Sequence, residues 1–179
     1  LGDNHPVVAR SFNNLGELLL ALKRPEDAEP MLRRAVAIVE ANFGDNHPDV
    51  AVYLNNLGLY LKDTGRLDEA EPMLRRVLTI FEAALGPDHP NVSFGLDNLA
   101  LVLAERGDWA GALPYIRRSA AIRTADIRRN SSGSPEAARR LAAGASAQYG
   151  LFTLALFHAG VGDRASFDES FQAAQRWLA

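Results

Sequence analysis

The sequence of 179 residues contains no cysteine. This absence excludes disulfide bonds, a thiolate nucleophile and cysteine-ligated zinc within the chain, and it fits a cytoplasmic protein. Long hydrophobic runs are also missing: runs such as Leu18-Leu19-Leu20-Ala21-Leu22 are far shorter than the roughly 20 residues of a membrane-spanning helix. Positive charge is not in excess, since 19 Lys and Arg residues face 22 Asp and Glu residues. The resulting net charge of −3 argues against sequence-independent binding of nucleic acids.

The motifs of catalysis and cofactor binding are absent as well. No glycine-rich loop resembles a phosphate-binding motif, and no His-Glu-x-x-His segment is present. No local motif places a serine nucleophile on a strained turn. We therefore predict a non-catalytic protein without a bound metal or cofactor.

What the chain does contain is a sequence repeat with a period of 42 residues. His5, His47 and His89 are each followed by Pro and mark this period. Two longer segments repeat at the same step: Asn-Asn-Leu-Gly at 13–16, with counterparts at 55–58 and 97–100, and Ala-Glu-Pro-Met-Leu-Arg-Arg at 28–34, with counterparts at 70–76 and 112–118. A fixed period of this size indicates stacked supersecondary units.

Each repeat is predicted to form two helices. The first helix begins at the Pro that follows His, where proline's missing N–H has no helical acceptor in any case. In the second repeat, apolar residues between Val50 and Leu61 recur at helical spacing, and Gly65 is suited to end the helix in a left-handed conformation. The next helix runs from about Asp68 to Leu85. No segment alternates between apolar and polar residues, so we predict no sheet.

The predicted fold is all-α, with antiparallel helix pairs. The predicted ranges are three pairs within residues 1–129 (about 6–43, 48–85 and 90–129), a flexible loop at 130–135 and a degenerate fourth pair at 136–179. The loop is predicted from its Asn, Ser, Gly and Pro content.

The repeated residues resemble the tetratricopeptide repeat family. That family has Leu-Gly in its first helix, a large apolar residue three positions on, Gly at the turn, and Ala and a large apolar residue in its second helix. The second repeat supplies all of these: Leu57, Gly58, Leu61, Gly65, Ala70 and Leu74. The first repeat has Lys23 at the turn instead of Gly. The 42-residue period with Asp-His-Pro linkers resembles the kinesin light chain type, which implies a right-handed superhelical solenoid of about four pairs.

Three features lead us to expect a longer parent protein. The segment 167–175 is similar to the helix before the caspase-like CHAT domain of some bacterial repeat proteins. Leu1-Gly2-Asp3 matches the junction that closes a preceding repeat. Trp177 and Leu178 are apolar, whereas the end of a solenoid normally carries a polar cap.

The resemblance also implies a binding surface. In the family, the first helices line a concave face that holds extended peptides or partner helices. The positions carried onto this chain as partner-binding are Arg10, Asn13, Glu17, Asn55, Leu59, Lys62, Phe94, Asp97 and Leu101. Their mixed charge differs from the basic clamp of chaperone-binding relatives, and the apolar members favour a protein or peptide ligand with apolar side chains.

Several polar residues allow two interpretations. Asn13 and Asn55 can pair with a peptide backbone, or they can be consensus residues bonded to their neighbours. For the recurring Asn14, Asn56 and Asn98 we favour a structural role, with bonds across the helix pair. The repeat histidines suit helix N-caps better than a metal, because equivalent residues of stacked units lie about 10 Å apart and zinc ligands lie about 2 Å from the metal.

Arginine is concentrated in two places. The pairs at 33–34, 75–76 and 117–118 are predicted to form a solvated outer face, paired with Glu29 and Glu71 at helical spacing; the alternative is a surface for an anionic partner. The cluster of Arg123, Arg128, Arg129, Arg139 and Arg140 is the most basic patch, but it lacks the interleaved aromatics of a single-strand binder.

We predict from these observations a non-catalytic scaffold for protein–protein interaction, with a partner segment on the concave face. Two alternatives stay open. The first is a spacer that self-associates through its ends, including Trp177 and Leu178. The second is a regulatory arm of an attached effector domain.

Overall fold

The computed structural model describes residues 2–130, and within this range the chain forms α-helices and no strand. The helices are α1 (Pro6–Ala21), α2 (Pro25–Phe43), α3 (Pro48–Asp63), α4 (Leu67–Leu85), α5 (Pro90–Glu105) and α6 (Trp109–Asn130). The all-α prediction is thereby confirmed. The predicted fourth pair, the loop beyond residue 130, and Trp177 and Leu178 lie outside the described residues.

The chain divides into two compact units between Pro87 and Asp88. In the first unit, α1 packs on α2, α2 on α3, and α3 on α4. In the described part of the second unit, α5 packs on α6. Both units therefore contain antiparallel helix pairs of the predicted kind. Within residues 2–130, no helix has the length and apolar character needed to cross a membrane.

The three repeat histidines begin the first helix of each pair. The Nδ1 atoms of His5, His47 and His89 accept hydrogen bonds from the backbone N–H groups of Val7, Asp49 and Asn91, at 3.1 to 3.2 Å. Each bond satisfies one of the N–H groups that a helix leaves unpaired at its start. The N-cap interpretation of the histidines is thus confirmed.

Close packing inside each pair of the first unit depends on glycine. A Cβ atom placed on Gly16 would lie 2.7 Å from Leu32 Cδ2, and one placed on Gly58 would lie 2.9 Å from Leu74 Cδ2. Both leucines are fully buried. Because dense cores leave no room for an extra carbon, the recurring Leu-Gly fixes how closely the two helices approach. In the second unit the same sequence positions hold Ala100 and Ile116, both buried.

The turn inside each pair requires a left-handed backbone. Gly65 and Gly107 adopt φ angles of 77° and 82° there. In the first pair the same position is Lys23, which has φ 59°. Glycine takes this conformation without steric cost, whereas other residues lose about 1 kcal/mol or more. The first pair therefore carries strain that the other two pairs lack.

Candidate functional site

A surface pocket marks the N-terminal ends of α1 and α3 in the first unit. Its volume is about 220 Å³. The residues that line it are Pro6, Val7, Arg10, Val39, Phe43, Asp49 and Tyr53. Val7 and Phe43 are exposed, and the Phe43 ring stacks on the His47 ring at 4.9 Å between centroids. The pocket thus combines apolar and aromatic walls with one cation and one anion, a composition suited to a peptide side chain.

Tyr53 supplies a phenol group to this pocket. Burial raises the pKa of Tyr53, the nearby Asp49 carboxylate raises it further, and the Arg10 guanidinium opposes the shift. The hydroxyl is therefore protonated at neutral pH and is able both to donate and to accept a hydrogen bond. Of the pocket residues, only Arg10 was predicted from the sequence to bind a partner. Tyr53 and Phe43 were missed because their repeat counterparts, Gly95 and Leu85, show no shared motif.

Asn13 and Glu17 form a hydrogen-bonded cluster with Asn56. The Asn13 Nδ2 atom donates to Glu17 Oε1 at 2.8 Å. Asn56 Nδ2 donates from α3 to Asn13 Oδ1 at 2.9 Å and to Glu17 Oε1 at 2.8 Å. Asn13 is buried. These bonds favour the consensus-residue interpretation of Asn13, because its amide holds α1 against α3. They give Asn56 a structural role, as expected, but the bonds run to α1 of the preceding pair and not across its own helix pair.

The remaining predicted residues of the first unit lie on α3. Asn55 and Leu59 are half-buried. Lys62 forms an ion pair with its neighbour Asp63. Val52, one turn before Asn55, is exposed on the same helix. This part of α3 therefore offers apolar surface beside polar groups, and its charges are balanced by neighbours.

The second unit places an aromatic side chain over a cation. Phe94 on α5 has 57% of its surface exposed. The Arg123 Cζ atom on α6 lies 5.2 Å from the centre of the Phe94 ring, within the range of a cation–π contact. Arg123 also forms an ion pair with Asp97 and donates through Nε to Ser93 Oγ at 3.3 Å. Leu101 is half-buried two turns further along α5.

This polar cluster continues into the core of the second unit. Ser93 and Ser119 are buried, and Ser119 Oγ donates to the Ser93 carbonyl at 3.2 Å. Arg123 was predicted to belong to a basic patch, yet its guanidinium is occupied by Asp97 and Phe94. Its charge consequently holds an exposed ring in place. The side chain of Arg128 is not described, and Arg139 and Arg140 lie outside the described residues.

The outer faces of α2 and α4 carry paired arginines. Arg33 contacts Glu29 at 2.8 Å and Arg75 contacts Glu71 at 2.8 Å, both four residues apart. This is the pairing expected for a solvated outer face. Within residues 2–130, no group of three or more His, Asp or Glu side chains is arranged to hold a metal ion.

A family model described as Tetratricopeptide repeat matches residues 7–83 and 50–125, which together make up more than half of the chain. A comparison with curated proteins finds no match.

Three solved structures have a similar backbone. BtubC (BKLC) from P. vanneervenii has a TM-score of 0.79 and 21% identity, over 96% of this chain and 64% of that one. The nearly identical TPR-like repeats of a kinesin light chain from Podosopora anserina have a TM-score of 0.75 and 22% identity, over 98% of this chain and 78% of that one. Aspartyl phosphate phosphatase F from Bacillus subtilis has a TM-score of 0.73 and 16% identity, over 98% of this chain and 42% of that one. Our chain thus spans less than two thirds of BtubC, and at these identities the likeness concerns the fold alone.

Proposed function

The chain belongs to the tetratricopeptide repeat family, and from this premise we propose that it is a non-catalytic scaffold that binds a segment of a partner protein on its first helices. Proteins of this fold typically mediate protein–protein interaction. We assign the binding to α1 and α3 in the first unit and to α5 in the second. The proposed site of action is the cytoplasm.

The observation that carries the proposal is the pocket between the N-terminal ends of α1 and α3. Its volume of about 220 Å³ is sufficient for one large side chain of a ligand. Val7 and Phe43 offer apolar contact, while Arg10 and the Tyr53 hydroxyl offer hydrogen bonds to a peptide carbonyl or carboxylate. Pockets with apolar walls and a few polar groups are the usual form of a specific site.

Phe94 is proposed as the ligand anchor of the second unit. An exposed aromatic ring held by a guanidinium loses little freedom when a ligand side chain packs on it, and aromatic residues are frequent hot spots at interfaces. Arg10 and Asp49 have opposite charges in the pocket, so we expect a ligand with apolar anchors and no strong net charge.

Selection of peptides from a random library, with the full chain as bait, tests this proposal. The selected peptide would be labelled and its Kd measured by fluorescence anisotropy. We expect Arg10→Glu and Leu59→Asp each to weaken binding about tenfold or more, the effect of removing a hot-spot contact. A matched control is Arg75→Glu, which reverses an exposed charge on the outer face of α4.

Two results would contradict the proposal. One is the failure of every library to yield a peptide that saturates the protein. The other is that Arg10→Glu and Leu59→Asp bind the peptide as tightly as the Arg75→Glu control does. Sedimentation of the unmodified protein at several concentrations tests the alternative, in which the chain self-associates as a spacer. Concentration-dependent oligomers without peptide binding would favour that alternative.

A further inference from the structure

Arg10 and Glu17 lie on one face of α1 and carry opposite charges. Seven residues separate them, which is close to two helical turns, so the two side chains leave α1 in nearly the same direction. Their separation along the helix axis is about 10 Å. Arg10 lines the pocket between α1 and α3, and Glu17 is exposed. The first unit therefore presents a cation and an anion in a fixed order along α1.

The Glu17 carboxylate is held in place by two amide groups. Its Oε1 atom accepts hydrogen bonds from Asn13 Nδ2 on α1 and from Asn56 Nδ2 on α3, both at 2.8 Å. The second oxygen, Oε2, has no hydrogen bond or ion pair among the residues that the structure describes. Because the carboxylate is fixed before a ligand arrives, a cation that binds Oε2 costs little conformational entropy.

Arg10 supplies the opposite charge. Within the described part of the chain, its guanidinium makes no hydrogen bond or ion pair. The same repeat position stays exposed where a preceding helix pair is described, since Val52 on α3 is 48% exposed. The Tyr53 hydroxyl lies in the same pocket and is protonated at neutral pH. The guanidinium and the hydroxyl together form a donor set that suits a carboxylate.

Asp49, the anion of the pocket, has a structural role of its own. It lies in the first turn of α3, where the partial positive charge of a helix N-terminus stabilises a carboxylate. Arg10 lies further along its helix and has no such role. Of the two charges in the pocket, the cation is therefore the one that a ligand can use. An acidic ligand group would still be opposed by Asp49, which provides a test.

The spacing of the two charges favours one ligand conformation. Helices α1 and α3 offer no sheet edge, so a ligand does not bind them by adding a β-strand. In a polyproline II segment, side chains three residues apart lie on one edge and about 9 Å from each other. This distance is close to the spacing between Arg10 and Glu17. Side chains on one face of a β-strand are about 7 or 13 Å apart, which fits less well.

We propose that the first unit recognises an extended segment of a partner protein in which an acidic and a basic residue are three positions apart. The acidic side chain binds Arg10 and the Tyr53 hydroxyl in the pocket, and the basic side chain binds Oε2 of Glu17. This inference rests on the proposed function and specifies its ligand. A purely acidic or purely basic segment is disfavoured, because one of its charges would meet a like charge.

Selection from a random peptide library with four full-length baits tests this assignment. The baits are the unmodified chain, Arg10→Glu, Glu17→Lys and the double variant. We expect the unmodified chain to enrich peptides with an acidic and a basic residue three positions apart. Glu17→Lys should replace the basic residue of this motif by an acidic one, and Arg10→Glu should replace the acidic residue by a basic one. The double variant should select the two charges in reversed order.

A milder variant separates charge recognition from structure. Glu17→Gln removes the charge but keeps an oxygen that accepts from Asn13 and Asn56. For a selected peptide we expect its Kd to be about fivefold higher, the size of one surface ion pair. The same peptide with its basic residue replaced by Gln should bind both proteins equally. The matched control is Glu26→Gln, an exposed carboxylate of α2, which should leave the Kd unchanged.

Asp49→Asn tests which charge of the ligand enters the pocket. This variant removes the anion that opposes an acidic side chain, so it should bind the selected peptide more tightly. Weaker binding would overturn the inference, because the basic residue of the ligand would then occupy the pocket. Circular dichroism of each variant verifies that the helices are intact.

The outcomes distinguish this inference from the proposed function on which it rests. If no library yields a peptide that saturates the protein, the proposed function fails and the inference fails with it. If peptides bind but lack opposite charges at this spacing, the inference alone is overturned. Selection of one and the same motif by all four baits would have the same meaning.

Discussion

Arg66 and Asp108 stand at the same position of the repeat, at the start of α4 and of α6, and they make opposite contacts. Arg66 does not cap its helix through its side chain and instead reaches Glu29 on α2. Asp108 Oδ1 accepts a hydrogen bond at 2.8 Å from the Gly111 N–H in the first turn of α6. In the second helix pair this position therefore ties two pairs together, whereas in the third it stabilises its own helix.

The second and third helix pairs also differ at another position of the repeat. Phe81 on α4 is a buried aromatic residue, and 42 residues later Arg123 on α6 forms an ion pair with Asp97. Ala51 and Val77 likewise become Ser93 and Ser119, all four of them buried. The same helical frame thus accepts an apolar core in one pair and a hydrogen-bonded polar cluster in the other. The repeat specifies the backbone, and single residues make each pair different.

The largest loss of stability is expected when Phe81 of the second pair is replaced by arginine, the residue that the third pair has as Arg123 at the same repeat position. Phe81→Arg would bury a guanidinium among apolar residues, with Asn55 where the third pair has Asp97. We expect the free energy of unfolding to fall by about 3 to 5 kcal/mol, because the charge has no partner. Urea unfolding followed by circular dichroism measures the loss.

The second substitution Asn55→Asp serves as the control for that prediction. If the ion pair is what makes Arg tolerable, the double variant should recover part of the lost stability, as coupled residues do. A Phe81→Arg variant as stable as the unmodified protein would show that the second pair accepts a charge without compensation.

A smaller effect is expected at the contact between Glu29 and Arg66. The hydrogen bond from Arg66 is the main reason that the pKa of Glu29 falls from 4.5 to about 2, although desolvation opposes it. A depressed carboxylate pKa stabilises the folded state above the unfolded pKa, and this contribution is lost as the pH falls from about 4.5 towards 2. Glu29→Gln should therefore cost about 1 to 2 kcal/mol at neutral pH, reduced by solvent screening.

Urea midpoints of both proteins between pH 2 and pH 7 measure this contribution. The two curves should converge as the pH approaches 2, because the protonated Glu29 then resembles glutamine. Parallel curves over the whole range would mean that the Arg66 contact adds no stability.

The smallest effect is expected at Asp108. Asp108→Ala removes the N-cap hydrogen bond of α6 and should cost about 1 kcal/mol, the usual value of such a cap. Asp88→Ala, at an exposed loop position, provides the comparison. Thermal unfolding by circular dichroism suffices for the measurement, and equal Tm values for the two variants would argue against a capping role of Asp108.

The outcome for individual residues shows where sequence-based prediction succeeds. The N-cap role of His5, His47 and His89 was predictable, because a cap depends on its own residue and the next two along the chain. The left-handed turn at Gly65 was predictable for the same reason. By contrast, Tyr53 and Phe43 were not identified, since their place in one pocket depends on three helices that are separated along the chain.

Arg123 illustrates the same limit for charged residues. Its neighbours along the chain indicated a basic patch, but its electrostatic partner is Asp97, which lies 26 residues earlier. The Asn13 side chain was predicted either to pair with a peptide backbone or to bond to its neighbours. It is hydrogen-bonded to Glu17 and to Asn56 from the next helix pair. Such contacts depend on packing between helices, which a local pattern does not specify.

The sequence by itself determined the helices, their turns, their pairing and the family, because these follow from local capping, helical periodicity and a 42-residue repeat. Only the tertiary structure decided which copies of a repeated residue are exposed and which are paired. Leu15 and Leu57 are identical residues at equivalent positions, yet one is exposed and the other is buried. The physical reason is that burial and ion pairing depend on the neighbouring helix: α3 packs on α2 and its Leu57 is covered, whereas Leu15 on α1 is exposed.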